Sequence, residues 1–181
     1  MSYDQEGSRR YITLSDDVVE LLEEEAEKSG VAPDKLLEHI ITRAVKFDIP
    51  LSKIDTVESP LPEFFSIIEC LSEHDIKEIA RNEAERNFDG ILSLLSGNNS
   101  DFNSVIEKFY ERFSKYSGWF TFKYMITGRK RLRLSFQHTY GIKWSMFLSE
   151  YNRVILERFC SKSSLQMLDD EVIFDVVLNQ D

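Results

Sequence analysis

The chain has 181 residues, 42% apolar and 30% charged, with a formal net charge of −10. That composition excludes a low-complexity or disordered chain, and the acidic balance argues against broad nonspecific affinity for nucleic acid. No apolar run approaches the ~20 residues needed to cross a bilayer, and the polar opening residues carry no secretory signal. A cytoplasmic location without membrane association is therefore expected. Cys70 lies inside one apolar helical pattern and Cys160 at the end of another, which predicts two buried reduced thiols rather than a disulfide scaffold.

Residues 1–8 are polar and read as a disordered tail. Arg9-Arg10-Tyr11-Ile12-Thr13-Leu14 is rich in β-formers and predicts a short strand. Ser15 followed by Asp16 and Asp17 is a helix start, with a hydroxyl cap and acids at the positive dipole end. Val18, Leu21, Leu22 and Ala26 continue at helical spacing, and Ser29-Gly30 is the stop. Pro33 suits the first turn of a second helix, in which Leu36, Leu37, Ile40, Ile41, Ala44 and Val45 form a wide apolar face ending near Phe47, before Pro50. These features assign residues 9–50 to one small module and residues 51–62, with two prolines, to a linker.

Residues 63–181 predict an α+β domain in the order α-α-α-β-β-α-β. A short helix carries Leu61, Phe64, Phe65, Ile68 and Leu71, and a longer one runs from about His74 to Leu95. Asp101 caps a third, with Phe102, Val105, Ile106, Phe109, Tyr110 and Phe113 as its stripe. The apolar period then changes from 3.6 to 2. Phe120, Phe122, Tyr124 and Ile126, a turn at Thr127–Lys130, then Leu132, Leu134 and Phe136 predict a hairpin with one apolar face. A helix after Gly141 carries Trp144, Phe147, Leu148, Tyr151, Ile155 and Phe159, and Val172–Leu178 is the last strand.

A strand, a helix, a Ser-Gly turn and a second helix within about forty residues cannot bury their apolar faces alone. The segment from Arg9 to Val45 resembles the ribbon-helix-helix DNA-binding family of the MetJ, Arc and CopG type. The matching residues are Arg9–Leu14, Ser15-Asp16-Asp17, Ala26-Glu27-Lys28-Ser29-Gly30-Val31 and Leu36-Leu37. The resemblance implies a homodimer, or a higher oligomer, whose paired strands enter the major groove of double-stranded DNA. Because side chains alternate along a strand, it aims Arg9, Tyr11 and Thr13 at base edges. Arg10 and the second helix start at Ala32, Pro33, Asp34 and Lys35 would meet phosphate. Two departures stand out: Ala32 offers no capping hydroxyl, and Asp34 places a negative charge near that phosphate.

On this resemblance the chain is expected to be a sequence-specific, non-enzymatic transcriptional regulator of prokaryotic type, a repressor. Its C-terminal domain would sense a small-molecule effector or drive oligomerisation. An antitoxin-like or other dimeric interaction module is the alternative. Elsewhere, Lys123, Arg129, Lys130, Arg131 and Arg133 form the densest basic cluster, an anion or partner patch set against a charged turn that protects a sheet edge. Cys70 and His74 stand one helical turn apart but lack further ligands, so no metal and no cofactor are expected. His138–Trp144 is either a small-molecule pocket or a packed strand-to-helix junction. No nucleotide-loop, nucleophile-elbow or zinc-protease motif is present.

Overall fold

The structure, a computed structural model, describes residues 11–54, 60–97 and 99–179. The tail at 1–8, Arg9 and Arg10 lie outside them. The chain divides into two compact units, Met1–Ala44 and Val45–Asp181.

In the first unit, α1 (Asp16–Ser29) follows Ser15 in extended conformation and carries Asp16 and Asp17 in its first turn. Gly30 closes it at φ 66°. The Val31 amide reaches back to Ala26 O at 3.0 Å and the Gly30 amide to Glu27 O at 3.2 Å, the reciprocal closure that a left-handed glycine allows. The second helix, α2 (Pro33–Arg43), starts with proline where a missing N–H costs nothing. Ala26 is the buried side chain of α1, and α2 has none. The expected strand is corrected: Tyr11–Ser15 is irregular, with Tyr11 100% and Ile12 67% exposed. A strand needs ladder partners for its N–H and C=O groups, and neither helix supplies them. The α+β class is observed; a β-α-α start is not.

The π-helical run Ala44–Asp48 starts at the last residue of the first unit, and in the second unit α3 (Ile49–Leu51) takes Pro50 into its first turn. Pro50 therefore does not end the helical path, and the expected linker begins with helical backbone. Phe47 anchors this segment, its ring 5.2 Å from Phe113 and 5.5 Å from Tyr116. Next comes α4 (Leu61–Cys70), on which Cys70 is exposed rather than buried. The single helix expected from His74 to Leu95 is two, α5 (Glu73–Arg86) and α6 (Phe88–Ser96). Asn87 separates them at φ −110° and donates its side-chain amide to Glu83 Oε2 at 2.6 Å. Such local hydrogen bonding is why Asn disfavours helix interiors. A reciprocal Ser72–Asp75 capping box opens α5. Asp101 Oδ1 accepts from the Ser104 amide at 2.7 Å and opens α7 (Phe102–Ser104), a π-helical segment Val105–Tyr110 and α8 (Glu111–Tyr116).

The sheet is β1 (Thr121–Gly128), β2 (Arg131–Gln137), β3 (Cys160–Met167) and β4 (Glu171–Leu178), in the order β1-β2-β4-β3 with every neighbour antiparallel. Arg129 and Lys130 make the two-residue hairpin loop, with Lys130 at φ 58°. Cross-strand rows on one face are Phe122–Phe136–Val172, Tyr124–Leu134–Phe174 and Ile126–Leu132–Val176. Helix α9 (Gly141–Leu156) connects β2 to β3 and packs beside α5. Trp144, Leu148 and Ile155 of α9 share one core with Phe88, Phe109 and Tyr110. β3 is absent from the sequence expectation, and Cys160 opens it rather than ending a helix. Its Cys-Ser-Lys-Ser-Ser-Leu-Gln-Met sequence lies at the sheet edge and is exposed past its first residue, so it carries no apolar alternation to be read.

Candidate functional site

The apolar face of the hairpin is covered unequally. Leu134 and Phe136 are buried, but Tyr124 is 46% and Ile126 73% exposed. Across from that bare end stand Phe102 and Ile106, with Leu178 at the end of β4. Together with Leu132 they line a groove of about 370 Å³, whose polar lining includes Asn103, Glu107, Lys130 and Arg131. The π-helical segment makes one wall. Its wider turn buries Val105, Ile106, Phe109 and Tyr110 while leaving Glu107 exposed.

A second cavity, about 410 Å³, adjoins the first: Glu107 and Tyr124 line both. Its other lining residues are Lys46, Lys108, Glu111, Arg112, Lys115 and Tyr116. Lys108 stands 3.5 Å from Glu107. The Arg112 guanidinium is half-buried; its Nη1 donates to Lys46 O at 2.7 Å and to Leu95 O at 2.9 Å. Leu95 closes the last turn of α6, where carbonyls lack helical partners and a cation suits the dipole. Burial lowers the Arg112 pKa from its ordinary value. Lys115 sits 5.3 Å from the Tyr116 ring centroid. Among the described residues, no carboxylate pairs with Lys46, Arg112 or Lys115.

The structure distributes the expected basic patch. Arg133 forms a two-pronged pair with Asp175, at 2.9 and 2.8 Å, which raises the arginine pKa and lowers that of the aspartate. Lys123 Nζ donates to Gln137 Oε1 at 3.3 Å and Lys130 Nζ to Asn179 O at 3.2 Å. Lys130 and Arg131 line the apolar groove; Lys123, Arg129 and Arg133 line neither cavity. Of the residues assigned to DNA, Tyr11, Thr13 and Ala32 to Lys35 are exposed. Sequence reasoning passed over Lys46, Arg112 and Lys115. A signal was there, since Lys108, Arg112 and Lys115 stand at i, i+4 and i+7, one helical face.

His138–Trp144 is a packed junction. Tyr140 stacks on Phe65 at 3.8 Å between centroids, and the Trp144 indole N–H donates to Trp119 O at 2.9 Å. The His138 amide donates to Asp170 O at 2.9 Å. Its Nδ1 accepts from the Tyr140 amide at 3.2 Å, so Nε2 carries the proton and donates to Ser145 Oγ at 2.8 Å. Burial lowers the His138 pKa below its ordinary 6.5, against smaller opposing effects of Asp170 and Asp169. The unfolded chain therefore takes up this proton first as pH falls. The stabilisation from neutral His138 is fully present above pH 6.5 and is lost as pH falls through the lower folded value. Denaturation midpoints of wild type are expected to drop between pH 7 and 5, and the His138→Gln variant to show a shallower drop. Equal slopes would assign the acid sensitivity to other groups. Burial also pushes the Cys160 thiol up to about 11, so it stays protonated and unreactive at neutral pH.

No family model matches the chain, and no curated protein matches it. Among solved structures it is similar to the H-NOX protein of Shewanella woodyi in its IWP-051-bound, Fe(II)CO-ligated state. The TM-score is 0.43 and the identity 17%, over 88% of this chain and 90% of that one. The expectation of a ribbon-helix-helix repressor is corrected: Tyr11–Ser15, where the ribbon strand was expected, forms no strand. Double-stranded DNA as partner falls with that strand, and so do the base and phosphate contacts that rested on it. A TM-score of 0.43 assigns neither a fold family nor a ligand to this chain. Among the described residues, no three His, Cys, Asp or Glu side chains are placed to hold a metal ion, and no helix is long and apolar enough to cross a membrane.

Proposed function

We propose that the unit from Val45 onward is a non-enzymatic binding domain for a small molecule with an apolar portion, held in the groove between Phe102–Tyr110 and the free end of the hairpin. The observation that carries this reading is the bare end of the apolar sheet face, where Ile126 is 73% exposed opposite Phe102, Ile106 and Leu178. Ligand sites are concave, largely apolar and fitted with a few polar groups. This groove has that make-up, with Asn103, Glu107, Lys130 and Arg131 among its polar lining. A catalytic role has no comparable support: the buried His138–Ser145 pair is spent on joining a strand end to a helix start.

The test is methyl NMR of the full chain titrated with 1-octanol. Saturable shifts are expected at Ile106, Ile126, Leu132 and Leu178, and the exposed-site variant Ile126→Asp is expected to weaken binding about tenfold, the scale of losing one buried side chain's apolar contact. If the methyl signals stay fixed, or shift without saturating, the groove is not a ligand site.

A further inference from the structure

The groove does not end at Tyr124. That residue and Glu107 also wall the second cavity, so an apolar compartment and a charged one meet across a shared boundary. The charged compartment gathers Lys46, Arg112 and Lys115, none paired with a carboxylate among the described residues. Lys108 is balanced by Glu107, and Glu111 is the remaining acid in the lining. Three cations against one acid leave a local surplus of positive charge in a chain whose net charge is −10. Arg112 is half-buried beside the exposed Lys46 and Lys115, and a partly desolvated cation is less costly with an anion at hand than without one.

The cluster is built rather than incidental. Phe47 is buried against Phe113 and Tyr116, which fixes Lys46 beside α8. Arg112 is held by two backbone carbonyls through one nitrogen, Nη1, so Nε and Nη2 remain as donors for a planar or tetrahedral oxyanion. Resting on the groove reading above, we infer that the ligand is an anionic single-chain amphiphile. Its apolar chain lies along Ile106, Ile126 and Leu132, and its phosphate or carboxylate headgroup lies among Lys46, Arg112 and Lys115.

The experiment compares octyl phosphate, octanoate, 1-octanol and inorganic phosphate by calorimetry and methyl NMR, on wild type, Lys115→Gln and Ile126→Asp. Lys115 makes no carboxylate pair, so its variant keeps the fold. One or both anionic amphiphiles are expected to bind at least about tenfold tighter than octanol, on the scale of one charge-assisted hydrogen bond. Lys115→Gln and added salt should shrink that advantage, and Ile126→Asp should weaken octyl phosphate and octanol alike. Equal binding of octanol and both anions would overturn the headgroup inference and leave the groove standing. Binding of inorganic phosphate as tight as that of octyl phosphate would overturn the continuity of the two compartments. No saturable binding by any of the chain-bearing compounds would remove the groove reading itself.

Discussion

Replacing Trp144 with alanine is expected to lower the unfolding free energy by about 3–5 kcal/mol, the range for emptying a fully buried large aromatic site. Trp144 is completely buried. Its ring stacks on Phe147 at 4.7 Å, and it meets Phe65, Trp119 and Phe64 edge-on at 5.2, 5.6 and 5.8 Å. These neighbours come from α4, α9 and the residue run before β1, so a cavity here loosens three segments at once. The indole N–H also satisfies Trp119 O. The less drastic Trp144→Phe removes that donor and is expected to cost about 1–3 kcal/mol, the penalty for stranding a carbonyl plus a partial cavity. Urea unfolding followed by circular dichroism reads both. A loss under about 1 kcal/mol for the alanine variant, with unchanged m-value, would mean that the aromatic cluster is not the centre of the core.

Arg112→Met is the second large effect. It keeps the apolar stem and removes the guanidinium. Two charge-assisted hydrogen bonds to Lys46 O and Leu95 O disappear, and methionine has no N–H to replace them. Hydrogen bonds to charged groups contribute about 1.5–3 kcal/mol each when buried. Because Arg112 is half-exposed, water recovers part of that, and about 2 kcal/mol is the expected net loss. Arg112→Lys should recover less than half, since lysine is one atom shorter and its ammonium falls short of the point where Nη1 bridges the two carbonyls. Thermal unfolding of both variants decides the matter. If methionine and arginine proteins melt together, Arg112 is not the tie between the π-helical segment at Ala44–Asp48 and the end of α6.

The periodic parts of this fold were legible. Gly30, Asp101 and the switch from 3.6 to 2 at Phe120 each mark a real boundary, because each is a local backbone requirement. The break at Asn87 was hidden, since the apolar stripe on either side of it runs on at helical spacing. β3 was hidden for the opposite reason: an exposed edge strand has no buried face to impose a period. The N-terminal strand misled because Tyr11, Ile12 and Thr13 have strand propensity, and propensity without a ladder partner does not make a strand. The basic hairpin drew attention through its density, yet Arg133 is neutralised by Asp175, 42 residues later. The less conspicuous Lys46 and Arg112 meet across 66 residues through a backbone carbonyl, a proximity that no local pattern encodes.

The strand order has a consequence for how the molecule is made. β4 occupies an inner position, between β2 and β3, yet it is the last of these four strands in sequence order. A ribosome that has synthesised up to Asp170 carries the β1–β2 hairpin and the residues of β3 with two open edges and nothing to join them. The sheet therefore closes only when Glu171–Leu178 arrives, as a late and non-local event. Until then Leu134 and Phe136 lack Phe174 and Val172, their cross-strand partners on the buried face. Chains that stop short of β4 should therefore be the aggregating and protease-sensitive species, while chains that include it are spared.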